Sequence, residues 1–128
     1  MIHLVIDMIK LGEKLRVSGA SGKEYFFEKY FIHRAFKPHF EAEKGIYLFL
    51  KKKNNGKYDP IYAGQTDQLH ECINRRDKGN CVVKCRPNRV CILNEPLETM
   101  RKNVLEDILA NEKYEFSCNT LIEESISI

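Results

Sequence analysis

At 128 residues with a net charge of +3, 43% hydrophobic and 30% charged, the chain has the size of one small domain with a single core. No apolar run approaches membrane-spanning length, and Met1-Ile2-His3-Leu4-Val5-Ile6-Asp7 lacks the basic region of a secretory signal, so a cytoplasmic protein without a membrane partner is expected. Five cysteines, at 72, 81, 85, 91 and 118, form no disulfide-scaffold rhythm and are expected as free thiols.

Val5, Ile6, Ile9, Leu11 and Leu15 form a broad helical stripe over residues 3 to 16, which predicts an amphipathic helix ending near Val17. Ser18-Gly19-Ala20-Ser21-Gly22 is a small-residue loop. Ser21 with Glu24 three residues later has the form of a capping box, so a second helix is predicted from Gly22, turning Phe26, Phe27, Tyr30 and Phe31 inward. The aromatic density there keeps a strand open as the alternative. Gly22-Lys23 does not complete a Walker A loop, because Val17 and Glu24 stand where that motif needs Gly and Ser or Thr.

After Pro38, residues 45 to 52 read as a strand, Asn54-Asn55-Gly56-Lys57 as a hairpin turn, and residues 60 to 64 as the return strand with Pro60 at its start. A helix then runs from Thr66 or Asp67 to about Asp77, burying Leu69, Cys72 and Ile73, and Lys78-Gly79-Asn80 ends it. Arg89 to Leu93 is a third strand. Pro96 and Glu98 open a longer helix carrying Leu97, Met100, Val104, Leu105, Ile108 and Leu109.

Charge is uneven along this order. Residues 45 to 92 hold ten Lys or Arg against four acids, whereas residues 93 to 128 hold three against eight. A basic middle beside an acidic end suits a surface that meets phosphates next to carboxylates able to hold a cation, although two solvated faces produce the same count. Lys51-Lys52-Lys53 flanks the hairpin, where lysines more often protect a strand edge than contact phosphate.

The chemistry-bearing pattern is Gly45-Ile46-Tyr47 followed by Tyr62-Ala63-Gly64-Gln65-Thr66. Two tyrosines on neighbouring strands, each two residues from a glycine, aim two phenols at one cleft where glycine lets a ligand backbone approach. With the helix, strand, Leu105-Glu106-Asp107-Ile108-Leu109 helix and Asn119 that follow, the chain resembles the GIY-YIG endonuclease superfamily over residues 45 to about 119.

The resemblance implies an α/β (α+β) fold, a three-stranded antiparallel sheet flanked by helices. Residues 1 to 44 then form a helical N-terminal extension packed on the same core, residues 45 to 122 the nuclease-like domain, and residues 123 to 128 a tail. It also implies a DNA endonuclease that hydrolyses phosphodiester bonds with one divalent ion, Mg²⁺ or Mn²⁺. Tyr47 and Tyr62 match the motif tyrosines, either of which activates water, Glu106 the metal ligand and Asn119 the asparagine beyond that helix. Such tyrosines need cations nearby, because a phenol of ordinary pKa near 10 is a poor base.

Cys72 stands where the family has an arginine, and a neutral thiol lacks the fork of donors that a guanidinium offers phosphate. Arg75 or Arg76 is the candidate replacement. Gly64, Gln65, His70, Lys78, Lys84, Arg86 and Arg89 are candidate nucleic-acid contacts. Helical spacing alone sets Glu106 away from the apolar stripe, as for a solvated glutamate.

A catalytically impaired nucleic-acid-binding module is therefore the alternative function. A third possibility is a protein-interaction domain, in which the aromatic segment at Tyr25, Phe26, Phe27, Tyr30 and Phe31 docks a partner or a second copy. Zinc on Cys81, Cys85 and Cys91, with Cys72 or a histidine as fourth ligand, is not expected, because no Cys-x-x-Cys pair is present.

Overall fold

The computed structural model describes residues 14–32, 40–75 and 79–119. Strands β1 (Lys14–Ser18), β2 (Glu24–Phe31), β3 (Gly45–Lys52), β4 (Tyr58–Thr66) and β5 (Arg89–Asn94) form one sheet in the order β1-β2-β5-β3-β4. Every neighbouring pair is antiparallel. Among the described residues the helices are α1 (Leu69–Arg75), α2 (Gly79–Cys85) and α3 (Glu98–Leu109), with a helical turn at 117–119. None of the described helices is long and apolar enough to cross a membrane.

The expected three-stranded sheet with a helical N-terminal extension is overturned: the described sheet has five strands, and the described part of the extension contributes a β-hairpin to the β5 edge. Alternation decides it. Phe27 is fully buried and Tyr25 half-buried on one side of β2, while Phe26 is exposed on the other, so the segment has period 2 where the helical reading took Phe26 and Phe27 together. Ser21 caps no helix. It lies in the β1–β2 turn, where Gly22 takes φ +92° and the Gly22 N–H donates to Gly19 O at 3.0 Å. Glu24, the other half of the supposed capping box, faces Arg16 across the hairpin at 3.5 Å. The predicted helix over 3 to 16 lies outside the described residues up to residue 13, and its last residues belong to β1.

Further along, the strands expected at 45 to 52, 60 to 64 and 89 to 93 are present. Gly56, at φ +85°, closes the Asn54–Gly56 turn, and its N–H donates to Lys53 O at 3.0 Å. Pro60 sits within β4 rather than at its start. It lies on an edge strand, beside a register shift between Phe49 and Leu50, where its missing donor costs least. The helix expected to reach Asp77 is described as far as Arg75, residues 76 to 78 lying outside the described residues, and α2 runs from Gly79, the residue read as a stop.

β3 is the centre of the core, with every residue from Gly45 to Leu50 buried. Ile46, Leu48 and Leu50 point to the side where α3 packs through Val104 and Ile108, joined there by Val17, Phe27 and Ala63. Tyr47 and Phe49 point to the other side, with Leu69 and Ile73 of α1, Val82 of α2, and Ile61. A strand covered on both faces reads as an unbroken apolar run, which is what Ile46 to Leu50 shows.

Two polar ties fix α3 at its ends. Arg101, only 3% exposed, donates from Nε to Gln65 Oε1 at 2.9 Å and from its terminal nitrogen to the carbonyls of Glu95 and Pro96. Asp107 holds the β1–β2 turn, accepting from the Ser21 hydroxyl, the Ser21 N–H and the Tyr25 hydroxyl at 2.7, 2.8 and 2.7 Å. Hydrogen bonds from Ser21 and then Tyr25 hold the Asp107 carboxyl below its ordinary value of 3.8. Its contribution to stability is therefore complete above the unfolded-state pKa and is lost as pH falls through the lower native value. Acid unfolding followed by circular dichroism is expected to show a shallower dependence below about pH 4 for Asp107→Asn than for the wild type, with the variant less stable at neutral pH.

Candidate functional site

The two motif tyrosines are brought together. Tyr47 lies opposite Gly64 in the β3–β4 ladder and Tyr62 opposite Phe49, and the two phenol rings are 5.9 Å apart between centroids, tilted by 40°. Gly64 is needed for this: a Cβ there would lie 2.7 Å from both Cζ and the hydroxyl of Tyr47. The expectation that the motif glycines admit a ligand backbone is thereby corrected. Tyr47 fills the space over Gly64, and the Leu93 carbonyl fills the space over Gly45, 2.2 Å from where a Cβ would stand.

Tyr47 is 1% exposed, whereas Tyr62 is half-buried. Burial, then the neighbouring Tyr62 and Cys72, raise the Tyr47 phenol far above its ordinary value of 10. A general base needs the opposite shift. Cys72, at the position of the expected cation, packs beside the pair and donates to Thr66 Oγ1 through its sulfur at 3.3 Å. A phenol and a thiol in place of a guanidinium leave the site without positive charge among its described side chains.

Glu106 is not brought to this pair. It is exposed on α3, two residues from both Val104 and Ile108 and thus about 200° round the helix from each. Those two residues pack against Ile46, Leu48 and Ala63, in a different cluster from Tyr47 and Tyr62. One carboxylate and a substrate phosphate can suffice for Mg²⁺. Here the carboxylate and the tyrosines do not share a face, so the residues do not fit an Mg²⁺ or Mn²⁺ ion linking them.

Asn119 has a different task. Its side-chain oxygen accepts from Ala63 N at 2.7 Å and its amide donates to Ala63 O at 2.9 Å. β4 is an edge strand, so this amide supplies the partners that a further strand would. It clasps the backbone directly beside Tyr62 and Gly64.

The remaining candidates scatter. Gln65 is engaged by Arg101 on the α3 side. His70 stacks on Phe40 with centroids 4.1 Å apart. Arg89 lies 4.1 Å over the Phe31 ring and donates to Asn88 O at 2.9 Å. Arg86 is exposed in a left-handed conformation at φ 52°. Lys84 is exposed on α2 and lines a groove of about 950 Å³ with Lys51, Lys57 and Lys113, interspersed with Asp59, Glu112 and Glu115. Arg76 and Lys78 lie outside the described residues, as does the Arg75 side chain. Of the aromatic segment, Phe26 and Phe31 are exposed, whereas Phe27 is core and Tyr25 is bound to Asp107.

The cysteines depart from the free-thiol expectation, since Cys81 and Cys118 form a disulfide while Cys72, Cys85 and Cys91 are free. Sequence reading missed Arg101, Asp107 and the Cys118 contact. The i,i+4 spacing of Cys81 and Cys85 was the available signal for a thiol cluster. Comparison of the chain with protein-family models, with curated proteins and with solved structures finds no match.

Two substitutions probe the pair and its clasp. Gly64→Ala forces a methyl group into the Tyr47 ring and is expected to lower stability by roughly 1–3 kcal/mol in denaturant titration. Asn119→Ala removes two hydrogen bonds from the β4 edge, with an expected loss of roughly 1–3 kcal/mol and faster amide exchange at Ala63.

Proposed function

We propose that this chain binds nucleic acid and is a relative of the GIY-YIG endonucleases whose cleavage centre is disabled. The observation that carries the reading is Cys72: its thiol lies beside Tyr47 and Thr66, where phosphodiester cleavage through a tyrosine requires a guanidinium. A phosphate entering there meets no forked donor among the described side chains, and the Tyr47 phenol keeps its proton. The exposed setting of Glu106 agrees with this reading. Contact with the backbone of nucleic acid then falls to lysines, and the groove holding Lys51, Lys57, Lys84 and Lys113 is the surface that supplies four of them.

Fluorescence anisotropy on duplex, branched and single-stranded DNA tests the proposal. Affinity should fall steeply with salt, and Lys51→Glu with Lys84→Glu should weaken binding on all three substrates alike. The wild type should cut none of them in Mg²⁺ or Mn²⁺. Absence of salt-dependent binding overturns the proposal.

A second reading, a divalent-metal-dependent DNA endonuclease, is favoured by one observation, the meeting of Tyr47 and Tyr62 over Gly64. Half-buried Tyr62 is then the base. Metal-dependent cutting by the wild type, lost in Tyr62→Phe, distinguishes it.

A further inference from the structure

α2 carries Cys81 and Cys85 four residues apart and therefore on one face of the helix. The helical turn at 117–119 brings Cys118 against them, bonded to Cys81 with the two Cα atoms 5.6 Å apart. Cys85 Sγ is 4.0 Å from Cys118 Sγ, and all three sulfurs lie within 4.8 Å of one another. Among the described residues this is the one group of three side chains of metal-binding type drawn so close.

We propose that Cys81, Cys85 and Cys118, once the disulfide is reduced, form a site for a soft divalent cation of the zinc type, held by three thiolates with the fourth position open. Two sulfurs on a tetrahedral zinc, each about 2.3 Å from the metal, are about 3.8 Å apart. The Cys85 to Cys118 separation already matches that spacing. Opening the Cys81–Cys118 bond lets the third sulfur relax to it, with Cys81 and Cys118 still held by the elements that carry them. Thiolate ligands select zinc-like metals over Mg²⁺ or Mn²⁺, which prefer oxygen.

Cys85 lines the groove with Lys84 and Lys113, which gives an ion in solution a path to the cluster. Two equivalents of a small thiol reduce the disulfide and leave as their own disulfide. One Zn²⁺ then displaces three thiol protons. In both states α2 is tied to the turn that carries Asn119, first by a covalent bond and then by a metal. The clasp on the β4 edge beside Tyr62 thus rests on a cross-link that survives either redox condition.

Cobalt substitution in the full chain tests this. The reduced protein should take up one equivalent of Co²⁺, with an intense near-ultraviolet thiolate charge-transfer band and the visible bands of tetrahedral cobalt, all displaced by Zn²⁺. Cys85→Ser should weaken binding by more than the roughly 10- to 100-fold that losing an outer-shell partner costs, and Cys91→Ala, on the other face of the sheet, should leave it unchanged. Protein oxidised to the Cys81–Cys118 disulfide should bind no cobalt, a comparison that needs no variant to fold. The proposal is overturned if reduced wild-type protein shows no thiolate–cobalt band, if the band persists after oxidation, or if folded Cys85→Ser binds as the wild type does.

Discussion

Everything in this fold is arranged about β3, a strand buried on both faces. Because successive side chains of a strand point oppositely, Ile46, Leu48 and Leu50 are committed to the α3 side and Tyr47 and Phe49 to the side of α1 and α2. A shift of one residue would exchange the two sets and bring the Tyr47 phenol into the apolar layer beneath α3. Gly45 and Gly64 reinforce the register, since each admits a neighbour that a methyl group would displace. The tyrosine pair is therefore as much a consequence of how β3 packs as a device for chemistry.

That double burial also sorts the candidate site. Tyr47, Tyr62 and Cys72 gather on one side, Gln65 and Arg101 meet on the other, and Glu106 points away from the helix face that packs. Apolar cover, a thiol and a second phenol all favour the neutral phenol at Tyr47. Packing therefore opposes the lowered pKa that a tyrosine base would need. The groove lysines stay at the surface, where the cost of desolvating a charge is small.

The hairpin at Asn54 to Gly56, the strands from Gly45 and Arg89, and the helix carrying Val104 and Ile108 were all legible, because each has a strong local signal: an Asn-Gly pair, an unbroken apolar run, or a stripe of period 3.6. The N-terminal half was not. In residues 24 to 31 the adjacent aromatics Phe26 and Phe27 satisfy a helical stripe as well as an alternation, and only pairing with β5, more than fifty residues away in sequence, decides between them. Ser21 and Glu24 have capping-box spacing yet serve a turn and a cross-strand ion pair. Contacts made at long range were also hidden, since nothing local links Cys81 to Cys118, Asn119 to Ala63, or Asp107 to Tyr25. Tyr47 and Tyr62 were readable as a pair. Their burial was not, because it depends on Gly64 and Cys72 leaving the ring no open side.

The central claim is that Tyr47 is a packed, protonated phenol rather than an activated base. Carbon-detected NMR of tyrosine-labelled protein, with the Tyr47 ring signal assigned by comparison with Tyr47→Phe, reads its ionisation directly. The Tyr47 resonance is predicted to stay at its protonated position through the pH range in which an ordinary phenol, with a pKa near 10, ionises. Ionisation of Tyr47 in the folded protein near or below about pH 10 would contradict the account.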